Sequence, residues 1–550
     1  MLTFAEAGDI DAVRQHTREV ITNACEAENP VLVEAPPNSG KSTTAYKLPT
    51  LTGHQITYLT SCADLYEEIV DGCEEEGGLS YEIIPSPHRD CPTFKDENYG
   101  PEATVRRLYR RGHSAAEIHY DTDVSTPCWE KNSDCPYMKT WRRIRNDSDS
   151  IDVLIGNHKH SYPSRYIENR VLILDEFNPD PFLEVYPSDV GADERDAAAD
   201  IISHFLDQLR EEEVEDFPVD TFNDVTDIFE NRDDPAARAR AIRWFQEHGI
   251  SRESVREYDF YEVNNHPHQP TYLIAPFLTC SLLCMQKLTP GIEVAPSPDN
   301  DALQEGWREI DVDEEWGCVR DRNTGAMYAL RPPNLSDAAQ VVGLDGTPTV
   351  ELWNLIFARD SEFDHRQILA REDFQNYLRS LDISTVQLGD GMHHYAGGNM
   401  NPKDGERFTA IQAREEEPLA LISTKAVLEK YDRRNWLDKY VKYPPEDLDE
   451  DSDYSRLVRH YGTLLSSNAF QNEHLGAVFG SPYPGRDIVK RWAALCGHGV
   501  VSEGRGEEKT FREFEDKIFL SFHPQSNRPG DSPIRSRRVS LEKRRSHSLY

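Results

Sequence analysis

The sequence lacks several features that would assign it to a class at once. No run approaches the ~20 consecutive apolar residues of a membrane-spanning helix. Residues 1–10 carry acidic side chains where a secretory signal peptide has basic residues and then an apolar run. Ten cysteines in 550 residues are too few for a disulfide scaffold, and no internal repeat is present. These absences predict a soluble, cytoplasmic protein with no membrane partner.

Basic charge is also scarce. The chain has 60 basic against 98 acidic residues, a net charge of −38, and only 16 of the basic residues are lysines. Self-repulsion of this size destabilises a compact chain, and concentrated salt removes it by shortening the Debye length to about 3 Å near 1 M. The composition predicts a halophilic protein, and an ordinary acidic protein is the alternative. A nucleic-acid partner would require segments that are locally basic.

The length exceeds what one hydrophobic core serves, and 38% hydrophobic residues can supply several domains. Short apolar runs predict buried strands at 31–33, 56–59, 171–174, 341–344 and 419–422. A helix is predicted near 201–209, because its apolar residues fall on one helical face.

A phosphate-binding loop of the Walker A type is predicted directly after the first strand. Gly40 lets the backbone approach phosphate groups, Lys41 reaches the β and γ phosphates, and the Ser42 hydroxyl ligates magnesium. The alternative is a plain turn from strand to helix. The predicted nucleotide-binding residues of the loop are Ala35, Pro36, Pro37, Asn38, Ser39, Gly40, Lys41, Ser42 and Thr43.

Two adjacent acids follow the apolar strand at 171–174. Parallel strands bind ligands at their carboxyl ends, where Asp175 would hold magnesium and Glu176 would act as general base on the attacking water. A solvated strand end is the alternative. With Lys41, these carboxylates are the predicted catalytic residues.

With both motifs in place, the chain resembles the superfamily 2 helicases of the XPD/DinG type. Gln15 stands where such helicases place a glutamine that reads adenine, and 58–61 resembles a motif that touches the DNA backbone. Further segments resemble family motifs in the same order: 135–137, 152–158, 175–178, 344–349, 421–425 and 462–468. In two respects the chain departs from the family: Asp-Glu-Phe-Asn replaces the DEAH box, and no glutamine followed by paired arginines is found.

The resemblance implies an α/β fold of two RecA-like P-loop lobes, with a Cys-containing insert and an acidic helical insert in lobe one. It also implies ATP and Mg as cofactors and an ATP-dependent DNA helicase or single-strand translocase. A nucleotide-dependent DNA-binding or switch protein with weak ATPase is the alternative. The predicted segments are 1–75, 151–180 and 336–357 for lobe one, 76–150 and 181–335 for the two inserts, 358–520 for lobe two and 521–550 for a basic tail.

Three cysteines, Cys91, Cys128 and Cys135, lie where this family carries a four-cysteine iron–sulfur cluster. Their uneven spacing is typical of such a cluster, since structural zinc sites usually show closer pairs. Cys73 is the predicted fourth ligand. Its rivals are His88, His113 and His119, which would favour zinc.

The same insert contains the most basic segments of the chain. Guanidinium groups can follow phosphates while interleaved aromatic rings, here Tyr109, Trp129, Tyr137 and Trp141, stack on unpaired bases. This combination predicts binding of single-stranded DNA, and neutralisation of nearby acids is the alternative. The predicted nucleic-acid residues are Arg106, Arg107, Arg110, Arg111, Arg142 and Arg143.

Residues 521–550 reverse the charge balance, with seven basic residues against two acids. Their composition, rich in Ser, Pro and Arg, predicts a disordered tail that replaces the arginine-finger segment of the family. A basic DNA-binding tail is the alternative. If a finger is supplied after all, the candidates are Arg486, Arg491, Arg505 and Arg512.

Overall fold

The structure is a computed structural model of the whole chain. It describes residues 4–61, 63, 65–75, 78–95, 100–120, 128, 135–188, 197–211, 217, 219, 221–223, 225, 235–249, 272–289, 291–296, 316–358, 362–386, 395, 398–415, 418–443, 456–461, 470, 473–480 and 486–498. The predicted tail at 521–550, the motif at 462–468, Trp129, Arg505 and Arg512 lie outside these residues.

The strands are β1 (Val31–Glu34), β2 (Ile56–Thr60), β3 (Tyr81–Ile83), β4 (Val153–Asn157), β5 (Val171–Asp175), β6 (Leu183–Tyr186), β7 (Gln286–Thr289), β8 (Ile292–Ala295), β9 (Gly317–Asp321), β10 (Met327–Leu330), β11 (Gln340–Asp345), β12 (Asp364–Gln367), β13 (Ala420–Ser423), β14 (Val458–His460) and β15 (Gly476–Val478). The five strands predicted from apolar runs are confirmed as β1, β2, β5, β11 and β13.

The α-helices are α1 (Phe4–Ala7), α2 (Ile10–Ala24), α3 (Lys41–Tyr46), α4 (Leu48–Thr52), α5 (Leu65–Glu75), α6 (Pro87–Asp90), α7 (Pro92–Lys95), α8 (Gly100–Arg110), α9 (Ala115–Tyr120), α10 (Pro136–Asp147), α11 (Ala198–Glu211), α12 (Pro235–His248), α13 (Ala275–Cys284), α14 (Val350–Phe357), α15 (Phe374–Ser380), α16 (Asp404–Glu415), α17 (Lys425–Arg433), α18 (Trp436–Tyr440) and α19 (Arg486–Leu495). Short 3₁₀ helices cover Ser148–Ser150, His158–Ser161, Ser164–Tyr166, Asp180–Phe182 and Arg371–Asp373. The helix predicted near 201–209 is confirmed as α11.

A seven-stranded parallel sheet forms the first unit, in the order β12-β1-β11-β5-β2-β4-β3. Its central strands are buried on both faces, which explains why they read as continuous apolar runs. In this register Asp175 lies opposite Leu344 on one side and Thr60 on the other, and Glu34 lies opposite Asp345. The ends of β1, β5 and β11 therefore meet at one edge of the sheet.

Lobe one extends further along the chain than the predicted boundary at 357. Strand β12 pairs in parallel with β1 as the sheet's edge strand, and α15 packs against α1. The Tyr377 hydroxyl of α15 donates a hydrogen bond of 2.6 Å to the Pro37 carbonyl of the phosphate-binding loop. The sequence did not indicate this edge strand, because its residues, Asp-His-Arg-Gln, are polar.

The segment predicted as a mostly helical insert, 181–335, contains helices and also a sheet that the sequence did not indicate. Its described residues form helices α11–α13 and a five-stranded antiparallel sheet in the order β6-β10-β9-β8-β7. One face of this sheet shares a hydrophobic core with the seven-stranded sheet, and the other face packs on the three helices. The five strands have only four or five residues each, too short to show a period in the sequence.

Helix α19 packs on this antiparallel sheet, against β8 and β9. Its buried residues Val489 and Trp492 join the core that contains Val294 and Val319. Predicted lobe two, 358–520, therefore contributes its first strand and this helix to the neighbourhood of lobe one. A separate three-stranded parallel sheet, β14-β13-β15, has its own core with α16–α18. No helix among the described residues is long and apolar enough to cross a membrane.

Arg170 is the most buried cation of the first unit and closes the end of the sheet opposite to the loop. Only 1% exposed, its guanidinium donates to the backbone carbonyls of Ile56, Ile151 and Asp152 at 2.7–3.1 Å. Burial lowers the pKa of Arg170 to about 10, which leaves it charged at neutral pH.

We expect Arg170→Met to destabilise the protein by about 3 kcal/mol or more, because three buried carbonyls would lose their charged donor. The exposed Arg18→Met on α2 is the control and should change stability by less than about 0.5 kcal/mol. Urea unfolding at one fixed high salt concentration measures both. Equal midpoints for the two variants would contradict this role of Arg170.

Candidate nucleotide site and candidate metal centre

The phosphate-binding loop connects β1 to α3 and has a backbone suited to anions. Asn38 and Gly40 both adopt left-handed conformations, with φ of 63° and 81°. Such alternation turns backbone N–H groups into a concave nest, and α3 begins directly at Lys41. Two side chains hold the loop's outer carbonyls: Tyr377 binds Pro37, and the Arg14 Nε donates to Asn38 at 3.3 Å.

Asp175 ends β5 directly opposite this loop. The carboxylate is 1% exposed, and its Oδ2 accepts hydrogen bonds from the Ser42 hydroxyl at 3.2 Å and from the Tyr58 hydroxyl. Its other oxygen, Oδ1, is buried without a hydrogen-bond partner. An unpaired buried carboxylate oxygen is costly, so it is a position suited to a cation. The structure thus brings Ser42 and Asp175 together, as a shared magnesium site requires.

Tyr58 is the second residue that donates a hydrogen bond to Asp175. It belongs to the segment 58–61, which resembles a motif that touches the DNA backbone. The Tyr58 side chain itself is 1% exposed, and its hydroxyl donates a hydrogen bond to the Asp175 carboxylate inside the sheet edge. Burial and the Asp175 charge raise the pKa of Tyr58 well above its usual range, so the hydroxyl remains a donor. The Tyr58 side chain therefore supports the Asp175 carboxylate inside the sheet edge.

Glu176 follows Asp175 with the backbone in the left-handed region, at φ 53°. A non-glycine residue there carries strain of order 1 kcal/mol or more, which is found mostly at functional sites. Its N–H donates to the Leu344 carbonyl at 3.2 Å, which ties the turn to β11. The strained turn therefore fixes where the Glu176 side chain departs from the sheet edge.

Lys41 and Asp345 complete the polar edge. The Lys41 Nζ donates to the Ala35 carbonyl at 3.1 Å, inside the loop. Asp345 accepts from the Thr347 N–H at 2.8 Å and from Trp353 Nε1 at 3.1 Å. Burial raises the pKa of Asp345, although the Lys41 charge opposes the shift. The end of β11 is thereby linked to the lysine of the loop.

Gln15, the predicted adenine-reading residue, lies on α2 next to Arg14. The side chain is exposed and donates to Glu19 on the same helix at 3.0 Å. The neighbouring Arg14 binds the loop at Asn38, so the structure brings this part of α2 beside the nucleotide site. The base-reading role stays a prediction.

His158 supports Asp175 from behind. Its ring is 1% exposed, lies beside Phe182, and donates from Nε2 to the Asp175 backbone carbonyl at 3.1 Å. Burial lowers the pKa of His158 to about 4, so the imidazole is neutral at pH 7. This histidine comes from the segment 152–158, whose Asn157 caps the 3₁₀ turn that follows β4.

The second candidate site lies in the insert between β3 and β4. The sulfurs of Cys91, Cys128 and Cys135 and the Nε2 of His119 all lie within 4.8 Å of one another. Hydrogen bonds from the Cys135 and Cys91 thiols lower the pKa of Cys128. Three thiols and an imidazole around one point form a group that could hold a metal ion.

The prediction of Cys73 as the fourth ligand is wrong. Cys73 lies on α5 and packs in the core between that helix and sheet one, with neighbours that include Ile69. Of the histidine rivals, His119 joins the group, whereas His88 and His113 do not. Sequence spacing could not decide among them, because the ligands come from separate segments that the fold brings together.

The predicted nucleic-acid arginines divide into two sets. Arg111 stacks on the Tyr272 ring at 3.7 Å and donates to its hydroxyl, and Arg143 pairs with Glu82 of β3 at 2.6 Å. These two guanidinium groups contact other parts of the fold. Arg106, Arg107, Arg110 and Arg142 are exposed or half-buried on α8 and α10, and they too interact with neighbouring groups.

Two of the interleaved aromatic rings are not available to bases. Tyr137 and Trp141 are each 7% exposed and pack in the core of the insert around the cysteines. Arg165 covers the Trp141 ring at 4.8 Å. Tyr109, at 37% exposure, is the exposed ring of this set within the described residues. The aromatic part of the single-strand prediction is therefore corrected for Tyr137 and Trp141.

A phosphate-binding loop and two carboxylates at the carboxyl edge of a parallel sheet are the arrangement of the P-loop nucleotide-binding class. No protein-family model matches the chain, and no curated protein matches it. Among solved structures, the chain is similar to an XPD helicase (11% identity, TM-score 0.41) and to an XPD in the apo form (10%, 0.39), over 92% of both chains in each case. It is also similar to Xpd4 of S. tokodaii (10%, 0.37), over 93% of both chains. TM-scores below 0.5 establish neither an activity nor the role of any residue.

We expect His158→Gln to make the protein less sensitive to acid. The folded pKa of about 4 lies below the usual 6.5, so the unfolded chain binds more protons between these values and wild-type stability falls as pH falls through that window. The glutamine amide can still donate to Asp175 but does not titrate. Between pH 7 and pH 4, the free energy of unfolding should therefore fall by about 3 kcal/mol less in the variant than in the wild-type protein. An identical loss in both proteins would contradict a neutral buried His158.

Proposed function

We propose that this protein hydrolyses ATP at the carboxyl edge of the seven-stranded sheet and uses the energy to move along, or separate, strands of DNA. The observation that carries the proposal is Asp175, whose buried carboxylate faces Ser42 across 3.2 Å and keeps one oxygen without a hydrogen bond. A hydroxyl and a carboxylate in this relation beside a phosphate-binding loop suit a nucleotide with its metal.

The residues of the loop would bind the triphosphate. The nest around Asn38 and Gly40 and the start of α3 would hold the phosphate oxygens, and Lys41 would exchange the Ala35 carbonyl for the β and γ phosphates. Ser42 and Asp175 would hold Mg²⁺, which neutralises charge on the phosphate oxygens when bound. Gln15 is proposed to contact the adenine from α2.

Glu176 is proposed as the general base. The N–H bond to Leu344 fixes the backbone from which the Glu176 carboxylate extends, directly after Asp175 at the sheet edge. There it would orient a water molecule toward the γ phosphate and accept its proton. Tyr58 and His158 position Asp175 and touch no reacting atom.

The DNA part of the proposal depends on the exposed, arginine-rich surface of the insert. Arg107 and Arg110 are exposed on one side of α8, and the ring of Tyr109, the sequence neighbour of Arg110, is partly exposed while it packs on His88 and Phe94. Against a net charge of −38, such a local excess of guanidinium is a candidate track for phosphates. Single-stranded DNA is the proposed form, since a half-exposed ring can stack on an unpaired base.

One observation favours the second candidate, a DNA-binding switch with weak ATPase. Arg491, a candidate arginine finger, lies over the Tyr328 ring at 3.4 Å on the antiparallel sheet. Without a finger, hydrolysis could fall by about 10³-fold or more. ATP-dependent displacement of a labelled strand in about 1 M KCl separates the two functions. Displacement supports the motor, and binding of DNA and ATP without displacement supports the switch.

We expect Lys41→Ala to lower ATP turnover by at least about 100-fold, because the lysine would contact the phosphates whose charge changes in the reaction. Lys47→Ala, directly after the C-terminal end of α3, is the control and should retain turnover near the wild-type level. Phosphate release at saturating ATP measures both. Turnover of Lys41→Ala close to that of the control would contradict the assignment of the loop.

Glu176→Gln should retain ATP binding and lose hydrolysis by about 10²- to 10⁴-fold, since the amide keeps the shape but cannot accept a proton. The exposed Glu168→Gln, which precedes β5 at the opposite end of the sheet, is the control. Nucleotide binding by fluorescence and phosphate release in a single turnover would be compared. Hydrolysis at the wild-type rate in Glu176→Gln would place the base elsewhere.

A further inference from the structure

The four side chains of the metal group define a small tetrahedron. Cys91 Sγ and Cys128 Sγ each lie 3.5 Å from His119 Nε2, and Cys135 Sγ lies 3.8 Å from it. The two sulfurs of Cys91 and Cys128 are 3.9 Å apart. Every pair of the four ligand atoms falls within 4.8 Å.

These separations match one tetrahedral ion. Bonds of about 2.3 Å to sulfur and about 2.0 Å to nitrogen, at tetrahedral angles, place sulfur and nitrogen about 3.5 Å apart and two sulfurs about 3.8 Å apart. Three of the four measured distances agree with this geometry within about 0.1 Å, and the fourth, from Cys135, is longer by about 0.3 Å.

An iron–sulfur cluster of four irons does not fit the same group. Each iron of such a cluster takes its own protein ligand, so the ligand atoms lie around the outside of the cluster and are separated by its edges as well as by their own bonds. The group within 4.8 Å leaves no room for that core. The fourth cysteine that the cluster would require, Cys73, lies in another hydrophobic core.

The orientation of His119 also indicates a single ion. Its Nδ1 is hydrogen-bonded to the Ala115 carbonyl of α9, which makes Nδ1 the protonated nitrogen and leaves the lone pair of Nε2 directed at the three sulfurs. Metal-ligating histidines make this second contact in most known sites. The Cys128 N–H in turn donates to Thr93 Oγ1 at 3.2 Å.

The site is closed to solvent and joins separate segments. Cys91 follows α6, His119 belongs to α9, Cys128 comes from the segment between α9 and α10, and Cys135 precedes the first residue of α10. All four are at most 9% exposed, and the three cysteines share a core with eight other buried residues. With four protein ligands and no open position, such a site is structural.

We propose that the insert binds one Zn²⁺ through Cys91, His119, Cys128 and Cys135, and that this ion replaces the iron–sulfur cluster of the family that the chain resembles. The ion ties α6, α9 and α10 around a core too small to fold by itself. Since zinc has no redox chemistry, the metal of this insert would neither gain nor lose electrons, unlike the iron of a cluster. The proposal is independent of ATP hydrolysis.

The test is the metal content of the full-length wild-type protein, produced with both iron and zinc in the medium and purified without oxygen. We expect about one zinc per chain, no acid-labile sulfide and no visible absorption of a cluster. Replacement of zinc by Co²⁺ should give the visible bands of a tetrahedral cobalt–thiolate site. Iron with sulfide in the isolated protein would overturn the proposal, and so would failure to take up zinc or cobalt.

Variants identify the ligands. Cys128→Ser and His119→Ala should each lose the metal, whereas Cys73→Ala, a buried cysteine outside the group, should retain about one zinc. His119→Cys should retain zinc, because four thiolates also form a tetrahedral site. Zinc loss in Cys73→Ala with retention in His119→Ala would overturn the ligand assignment. If a variant fails to fold, the cobalt spectrum of the wild-type protein still decides the coordination.

Discussion

The buried carboxylate of Asp175 is the constraint on which the first unit depends. A charge removed from water is costly unless it is paired, and here one oxygen accepts from Tyr58 and Ser42 while the other is buried without a hydrogen-bond partner. The donors come from β2 and from the phosphate-binding loop. The same interactions that make the buried charge tolerable therefore hold the loop and two strands of the sheet in register.

The sheet makes this arrangement precise at its edge. Because all seven strands are parallel, Asp175 at the end of β5, Asp345 at the end of β11 and the loop that leads from β1 to Lys41 lie at one edge. Arg170 binds three carbonyls at the opposite end, so both ends of the sheet are closed by polar contacts. Among the contacts that attach the insert to this frame are the Arg143–Glu82 ion pair, the Arg165 guanidinium over Trp141, and Ile144 of α10, which packs in the core of the sheet.

The sequence predicted those parts that depend on local pattern. A strand that is buried on both faces, such as Val-Leu-Ile-Leu, consists of consecutive apolar residues and is therefore easy to recognise. A loop that binds phosphate needs glycine, lysine and serine in a fixed order. The antiparallel sheet escaped prediction because its strands are short and pair over long separations, and β12 escaped because it is polar. His119 was one of three histidine candidates for the fourth metal ligand, and the contact of Tyr58 with Asp175 was not predicted. Neither spacing nor residue type tells which side chains the fold brings together.

The measurement that tests the central account most directly is the binding of ATP to the wild-type protein with Mg²⁺ and with EDTA, followed by titration in about 1 M KCl. If Ser42 and the unpaired oxygen of Asp175 hold the metal of the nucleotide, ATP binds more tightly with Mg²⁺, and Asp175→Asn loses most of that difference. Equal affinity with and without Mg²⁺, or a full magnesium effect in Asp175→Asn, would contradict the account.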